Sequence, residues 1–427
     1  MPSLSENIEQ DIDNKVTAAT QMNIPFSPPF IDEDIENEVL ESLRSGWITT
    51  GPKVRDLELL TAKLVGVDYS VCVNSWTSGA ALVLKWLGVG KGDEVIVPAY
   101  TYSATALAIL HTGAKPVMVD VLHDFTIDPV KVKEAITPAT KAVMAVDIAG
   151  WPCNYNALMS VVSSQDVKNK FVAQNDVQRQ FGRPVLIADA AHSLGAVYNN
   201  KPAAQASDIT IFSLHAVKNV TTAEGGVICL DLPAPFSNGE VYKWMKLNSL
   251  NGQTKDAFTK SQGGGWKYDI VSQGLKINMP DVCAAIGLAQ LKKYPGLLLP
   301  ERERVFGHYA AFFAQKSWAI MPPSQENGSK SSFHLFPLRI NNITEDQRDA
   351  IIQQMADAGV ATNVHFIPMP MLSLFKDMGY KIEDYPVTFR NYMQEISLPI
   401  YPQLTAAQCA YIEEQLEKAY NNVTQHS

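Results

Sequence analysis

At roughly 100 to 200 residues per domain, the 427 residues allow about two or three domains and exclude a small fold held together by disulfides or metal. The 46% of hydrophobic and 19% of charged residues exclude a generally disordered chain. Lys and Arg total 35 against 44 Asp and Glu, so the net charge is −9 and nucleic acid is not an expected partner.

The N-terminal residues 1–24 are polar and lack sustained periodicity, so they predict a loosely attached arm. They also lack the basic and apolar regions of a signal peptide, and no stretch of the chain approaches the ~20 apolar residues of a membrane span. The five Cys are scattered without a Cys-x-x-Cys pair, as in reduced proteins. We therefore expect a cytoplasmic protein without membrane insertion and without a metal site.

The next part of the chain alternates helical and strand-like segments. Helical spacing predicts helices over 31–46 and 54–65, followed by a β-like segment, YSVCVNS. Apolar runs then predict strands, and the stretches between some of them predict helices. The strands are 94–97, 116–119, 142–147, 184–188, 208–213 and 226–230, and the helices lie near 103–111, 129–136 and 280–293. This alternation predicts an α/β fold with a mostly parallel sheet covered by helices on both faces.

The C-terminal part has a different order of elements. We predict a long helix over 297–317, a strand over 333–340, a helix over 345–358, a strand over 360–366 and a helix over 405–420. This order is typical of a smaller α+β domain, and YPGLLLP marks the boundary near 294–300. The predicted organisation is an arm over 1–24, a large domain over 25–295 and a small domain over 296–427.

Two glycine- or serine-rich segments could bind phosphate. The GVGKG segment at 88–92 follows a helix and precedes a strand, whereas a dinucleotide-binding loop needs the order strand, glycines, helix, so we reject it. Residues 74–80, NSWTSGA, lie between a strand and a helix, where a helix N-terminus favours an anion. Plain capping of the helix explains the same residues equally well.

A carboxylate and a lysine follow two further apolar runs. Asp189 comes directly after PVLIA, and Lys218 lies in FSLHAVKNVTTAEGG, with Tyr102 after EVIV. Each residue taken alone could be an ordinary capping or surface residue. Ligands of open α/β sheets bind at the carboxyl ends of the strands, so these groups are expected to meet. An anion site, a carboxylate for a ring nitrogen and a lysine for a Schiff base are what pyridoxal 5'-phosphate (PLP) requires.

Several blocks in this order resemble the DegT/DnrJ/EryC1/StrS family of PLP-dependent sugar aminotransferases. They are SGWITTGPKVRDLE, GKGDEVIVPAYTYSAT, AITPATKAV, ADAAHSLGA, IFSLHAVKNVTTAEGG, INMPDVCAAIGLAQL, VHFIPM and ISLPIYPQLT. The resemblance covers nearly the whole chain from about residue 25. It implies a fold type I PLP-dependent transferase with a seven-stranded-type sheet in the large domain.

The resemblance also implies roles for individual residues. Lys218 forms the Schiff base and moves the proton, Asp189 pairs with the pyridine nitrogen, and His192 lies near the ring hydroxyl. Tyr102 stacks on the ring, while Asn278 reaches the phosphate of the other subunit, which implies a homodimer with shared active sites. The other implied phosphate contacts are Thr77, Ser78 and Ser213, and the implied substrate contacts are Trp47, Thr49, His334 and His365. A structural role explains each of the substrate contacts equally well.

Two residues depart from the family pattern. Trp76 stands where a small residue usually precedes the threonine of the phosphate site, and Pro280 replaces a common Ser or Thr after Asn278. Neither change removes a catalytic group, but Trp76 places a large side chain beside the phosphate site.

The implied function is transfer of an amino group from L-glutamate to a nucleotide-linked keto-deoxysugar for lipopolysaccharide, capsule or glycan synthesis. SGWITTGPK and the lysine block are similar to the branch that aminates C4 of UDP-linked 4-keto sugars. Amination at C3 of a dTDP- or UDP-linked 3-keto sugar is the alternative, and a non-catalytic PLP- or sugar-binding regulator is a further one. Lys218 argues against the 3-dehydratases of the family, which carry histidine at that position.

Overall fold

The computed structural model describes residues 22–255 and 267–425. Most of the predicted N-terminal arm, residues 1–21, lies outside the described residues. Where the description begins, Ile24 forms a single parallel bridge with Val360 in the C-terminal part. Within the described ranges, no helix is both long and apolar enough to cross a membrane.

Helices and strands alternate through the larger part of the chain. The α-helices of the described residues, α1 to α15, are Glu33–Arg44, Pro52–Val65, Trp76–Trp86, Ala104–Leu110, Pro129–Ala135, Tyr155–Val162, Gln165–Lys170, Asp176–Phe181, Asn238–Asn248, Asp281–Lys293, Leu299–Phe313, Glu345–Asp357, Ser373–Asp377, Pro386–Gln394 and Ala406–Thr424. The strands β1 to β14 are Tyr69–Val73, Glu94–Pro98, Lys115–Val119, Thr140–Val146, Val185–Asp189, Val197–Tyr198, Lys201–Pro202, Ile209–Ser213, Gly226–Leu230, Ala319–Ile320, Gln325–Glu326, Ser329–Lys330, Phe336–Ile340 and Glu395–Leu398. Helices α6 to α9, α13 and α14 were not expected from the sequence.

The main sheet has seven strands in the order β1-β9-β8-β5-β4-β2-β3. Strand β9 pairs antiparallel with both β1 and β8, and the pairs from β8 to β3 are parallel. The prediction of a mostly parallel sheet with covering helices is confirmed. Because five of the strands run side by side in one direction, their carboxyl ends form one common edge.

Both faces of this sheet are apolar because helices cover both of them. Successive residues of a strand point to opposite faces, and in β2 Val95 and Val97 pack into one buried cluster while Ile96 packs into another. The first cluster includes Leu82 of α3, and the second includes Leu57 of α2. This arrangement accounts for strands that are hydrophobic almost throughout.

A second sheet lies in the C-terminal part, with the antiparallel order β10-β13-β14. Helices α11, α12 and α15 pack on it around a separate buried cluster. The strand predicted over 360–366 is wrong. Within the described residues this segment makes only two isolated bridges, from Val360 to Ile24 and from Asn363 to Ser397. Strand β14 takes the position beside β13, which starts at Phe336 rather than at residue 333.

Candidate active site

Helix α3 begins with hydroxyl groups directly after the carboxyl end of β1. Ser75 caps the helix, since its Oγ accepts a hydrogen bond of 3.1 Å from the Ser78 amide and lies 2.9 Å from Ser78 Oγ. Gly226, the first residue of β9, packs so closely that a Cβ would lie 2.7 Å from backbone atoms of Ser75 and Trp76. The free N–H groups and the dipole of this helix N-terminus favour an anion.

Asp189 ends β5 and is buried, with 4% of its surface exposed. Its Oδ2 accepts a hydrogen bond of 2.8 Å from Thr105 Oγ1, and its Oδ1 accepts one of 3.3 Å from the Ala191 amide. Burial raises the pKa of Asp189 to about 7, and these hydrogen bonds and the charge of Lys218 oppose that shift. A cationic partner in the cavity would favour the ionised carboxylate.

Lys218 lies in the segment between β8 and β9, where its amide donates a hydrogen bond of 2.9 Å to the His215 carbonyl. Burial lowers the pKa of the Lys218 amine to about 8, and the negative charge of Asp189 opposes this effect. Roughly one amine in ten is then neutral at pH 7, far more than for an ordinary lysine. A neutral amine can act as a nucleophile or as a base.

These groups line one cavity of about 450 Å³ at the carboxyl edge of the main sheet. Most of the residues predicted for the site belong to its wall. They are Thr77, Tyr102, Asp189, His192, Ser213, Lys218, His334 and His365. Tyr102 has 62% of its surface exposed, and its ring centre lies 5.7 Å from that of Phe366. The cavity is therefore bounded by the end of β2 and by the segment that follows α12.

Two buried histidines stand side by side in the wall, with ring centres 4.4 Å apart. His192 Nδ1 accepts a hydrogen bond of 3.2 Å from the Ala149 amide, so a neutral His192 carries its hydrogen on Nε2. His334 Nδ1 lies 2.8 Å from Asn219 Oδ1, and the side-chain Nδ2 of Asn219 donates to the Ser332 carbonyl at 2.8 Å. Burial lowers the pKa of both histidines well below the usual range, so both rings are neutral.

The structure adds two contacts that the sequence did not indicate. Thr105 binds the Asp189 carboxylate across 84 positions of sequence, and its only signal was its place in the block that follows β2. Trp76, the unusual residue beside Thr77, is buried and donates a hydrogen bond of 3.0 Å from its Nε1 to the Ile211 carbonyl of β8. The large indole therefore fits beneath the helix N-terminus.

The remaining predicted residues are not in the wall of this cavity. Ser78 lies in the first turn of α3, next to Thr77. Trp47 donates from Nε1 to the Thr50 carbonyl at 3.2 Å, and the Thr49 carbonyl accepts from the Asp281 amide at 3.2 Å. Asn278 donates a hydrogen bond of 2.6 Å to Thr50 Oγ1, and both residues line a second cavity of about 640 Å³.

The sequence profile of the DegT/DnrJ/EryC1/StrS aminotransferase family matches residues 29–417. The chain belongs to this family. It is 35% identical over 387 residues to the spore coat polysaccharide biosynthesis protein SpsC of Bacillus subtilis, covering 90% of this chain and 93% of SpsC.

Solved structures give the same result. The PMP form of the putative sugar aminotransferase Spr1654 from Streptococcus pneumoniae is 41% identical, has a TM-score of 0.90, and the alignment covers 94% of this chain and 100% of that chain. Its PLP form is 40% identical with a TM-score of 0.89, with the same shares of both chains covered. PseC of Helicobacter pylori, described as an aminotransferase in pseudoaminic acid biosynthesis, is 25% identical with a TM-score of 0.81, and 94% of this chain and all of PseC are covered. The protein is a PLP-dependent aminotransferase of a sugar aminotransferase family.

The chemistry of the cavity fits PLP. The cofactor needs an amine, a carboxylate and an anion site, and the wall offers Lys218, Asp189 and the N-terminus of α3. Glycine at position 226 allows the strand backbone to approach that N-terminus as no other residue would. The fold class and the cofactor predicted from the sequence are both confirmed.

Proposed function

We propose that the enzyme transfers the amino group of L-glutamate to C4 of a UDP-linked 4-keto-6-deoxy sugar, for lipopolysaccharide, capsule or other glycan synthesis. The observation that carries the proposal is the placement of Lys218 and Asp189 in one cavity that is also lined by residues from the C-terminal part. The printed roles of SpsC and PseC in polysaccharide and pseudoaminic acid biosynthesis support a sugar acceptor. The blocks SGWITTGPK and IFSLHAVKNVTTAEGG support the C4 branch.

In this proposal Asp189 holds the pyridine nitrogen in its protonated state, which requires the ionised carboxylate. Thr105 contributes by donating to Asp189 Oδ2 at 2.8 Å, which favours the carboxylate over the acid. PLP supplies an electron sink and carries the amino group between the two substrates. The protein therefore has to orient this ring, exclude water and move protons.

Lys218 Nζ is the proposed base that takes the α-proton of the amino donor. A base needs a free electron pair, which only the neutral amine has. Burial lowers the pKa of this amine to about 8 and so increases the neutral fraction. The rate should rise with pH as the Lys218 amine loses its proton, until the pH passes this pKa.

We assign the anion site at the start of α3 to the phosphate of PLP, with contacts from Thr77, Ser78 and Ser213. Tyr102 is the proposed stacking partner of the ring. The supporting observations are that Thr77, Tyr102 and Ser213 line the cavity and that Ser78 lies one residue beyond Thr77. His192, which keeps its hydrogen on Nε2, is the proposed neighbour of the ring hydroxyl.

We further propose a homodimer in which Asn278 of each subunit completes the phosphate site of the other. In one chain Asn278 lies in a different cavity, beside Thr50, so a second copy is needed to bring it to the phosphate. Mixing Lys218→Ala subunits with Asn278→Ala subunits tests this, because a hybrid dimer contains one site with both residues intact. We expect more activity from the mixture than from either variant alone, and an equal or lower activity would contradict shared sites.

The proposed substrate contacts are Trp47, Thr49, His334 and His365, of which the two histidines line the cavity.

We place the enzyme in the cytoplasm, which is consistent with the free state of all five cysteines. We also divide the chain into a large domain, 25–295, with the seven-stranded sheet and a small domain, 296–427, with the three-stranded sheet, while a third sheet, β11-β12-β6-β7, takes strands from both.

The absorption spectrum of the purified protein with PLP, before and after L-glutamate, tests the proposal. We expect glutamate to convert the cofactor of the wild type to the pyridoxamine form but not that of Lys218→Ala, because this variant lacks the amine that moves the proton. Binding of PLP without a response to glutamate would exclude this donor, and the absence of turnover with any substrate would favour a regulator. A screen of UDP- and dTDP-linked 4-keto and 3-keto sugars then separates amination at C4 from amination at C3.

A further inference from the structure

A chain of three hydrogen-bonded side chains leads from the cavity into the second sheet. His365 Nδ1 lies 2.9 Å from Ser397 Oγ, and Ser397 Oγ lies 2.5 Å from Glu395 Oε1. The other oxygen of Glu395 accepts a hydrogen bond of 2.9 Å from the His365 amide. Glu395 and Ser397 are both 0% exposed, whereas His365 lines the cavity. The three residues form a connected path with one end facing the substrate space.

Glu395 has charged neighbours, yet burial dominates its ionisation. Arg339 of β13, Arg348 of α12 and the buried Tyr100 face it from the elements packed around β14. Burial raises the pKa of Glu395 to about 8, and the hydrogen bonds from Ser397 and the His365 amide, together with the two arginines, oppose the shift. Near neutral pH the protonated acid therefore predominates.

His365 itself stays neutral over the same range. Burial, and then the positive charge of Lys218, lower the pKa of His365 to about 3. The neutral rings of His192 and His334 line the cavity beside it, and Phe26 stacks on it with ring centres 5.3 Å apart. A change of protonation at this end of the path therefore takes the form of a change of tautomer, not of charge.

The direction of each hydrogen bond depends on the proton of Glu395. When Glu395 is ionised, Ser397 donates to it and accepts from His365 Nδ1–H, which leaves His365 Nε2 as an acceptor. When Glu395 is protonated, it donates to Ser397, Ser397 donates to Nδ1, and His365 Nε2 carries the hydrogen. In both states His365 carries one ring hydrogen and Ser397 one hydroxyl hydrogen, so only Glu395 gains or loses a proton.

We propose that Glu395 and Ser397 are positioning residues that set the tautomer of His365, so that His365 Nε2–H donates a hydrogen bond to an oxygen of a substrate in the cavity. The substrate atom that accepts this hydrogen bond is an oxygen, either of the carboxylate of the amino donor or of the sugar. The identity of these substrates rests on the proposed function, whereas the tautomer itself does not.

The tautomer is measured by ¹⁵N NMR of the full-length protein with labelled histidine, because protonated and unprotonated ring nitrogens have distinct shifts. The His365 signals are assigned by their loss in His365→Asn. We expect hydrogen on Nε2 at pH 6.5 and a shift toward Nδ1 by pH 9.5. In Glu395→Gln the side-chain oxygen accepts from the His365 backbone N–H, so the side-chain NH2 faces Ser397 and donates to it, and His365 Nε2–H should persist at both pH values.

Glu413→Gln is the matched control. Glu413 is also a buried glutamate, burial raises its pKa to about 7, and it lies in α15 rather than at the cavity. This variant should keep the wild-type change of tautomer. The proposal is overturned if His365 has the same tautomer at both pH values in the wild type, or if Glu395→Gln still shows the change.

Substrate binding provides the second test and identifies the source of the oxygen. Ser397→Ala should raise the KM of one substrate at pH 7, by about 2- to 12-fold if the acceptor is a neutral oxygen of the sugar and by up to roughly 150-fold if it is the glutamate carboxylate. The KM of the wild type should increase above pH 8, where Glu395 is ionised. Glu395→Gln should have the wild-type KM at pH 7 and keep that value above pH 8. An unchanged KM for both substrates in Ser397→Ala would refute the binding role even if the NMR result holds. Failure of the glutamate reaction alone would instead count against the proposed donor.

Discussion

Gly226→Ala tests whether the close approach of β9 to the start of α3 builds the anion site. Gly226 pairs with Val73 of β1 and with Ser213 of β8, so it is held from both sides. An alanine Cβ would meet the Ser75 carbon and oxygen and the Trp76 nitrogen at 2.7 Å. All three are backbone atoms, which cannot move aside as a side chain can.

The size of the effect follows from this geometry. Ordinary contact begins at 3.4 Å, so the helix start has to move by about 0.7 Å. A hydrogen bond of about 2.9 Å to a phosphate would lengthen to about 3.6 Å, which is beyond hydrogen-bonding distance. Losing one bond to a charged group costs about 1.5–3 kcal/mol, or roughly a 10- to 150-fold weaker Kd for PLP. Overpacking should also destabilise the apoprotein by about 1–3 kcal/mol.

The assay is titration of the apoprotein with PLP, combined with denaturant unfolding. Gly307→Ala is the control, because Gly307 lies within α11 and a Cβ there would meet no atom within 4 Å. That change should leave the Kd unaltered and stabilise the protein by about 0.5–1 kcal/mol. A Gly226→Ala protein with the PLP affinity of the wild type would refute the reasoning.

Three further predictions concern other residues of the site. Lys218→Ala should abolish turnover, and measurable activity with the sugar substrate would remove its catalytic role. The pKa of Glu395 is raised to about 8 in the folded protein, so protonation of Glu395 stabilises the fold below the ordinary pKa of a glutamate, and this stabilisation is lost as the pH rises to about 8. Glu395→Gln should therefore reduce the loss of stability between pH 5 and pH 8 in urea unfolding. Trp76→Phe should destabilise by about 0.5–1.5 kcal/mol in the same assay, since the hydrogen bond to the Ile211 carbonyl is lost.

The main sheet could be predicted from sequence because burial on both faces makes its strands continuous apolar runs. In β5 every residue from Val185 to Asp189 is buried, and the polar residue at the end marks where the strand meets the cavity. The same rule placed Lys218 after β8. Parallel strands share one carboxyl edge, so the order of the strands alone assigns residues that are far apart in sequence to one site.

The second sheet was harder because its strands are short and depend on distant partners. Strand β14 has four residues, Glu395–Leu398, and includes a glutamate and a serine, so its pattern does not indicate a buried strand. Segment 360–366 has a more strand-like composition but makes only isolated bridges among the described residues. Tertiary pairing decided both outcomes, as expected for β-structure, whose propensities depend on context.

The site shows the same division between local and distant information. The groups that fit the cofactor, Asp189 and Lys218, follow strands of the main sheet, and their positions are visible in the order of local patterns. Other contacts form only when the chain folds. They are the hydrogen bond from Thr105 to Asp189 and the path from His365 through Ser397 to Glu395. Because His365 and its partners come from the C-terminal part, substitutions there can change substrate binding while the cofactor groups of the main sheet stay in place. The Ser397→Ala and Gly226→Ala proteins should therefore separate the two effects, the first in the KM of a substrate and the second in the Kd of PLP.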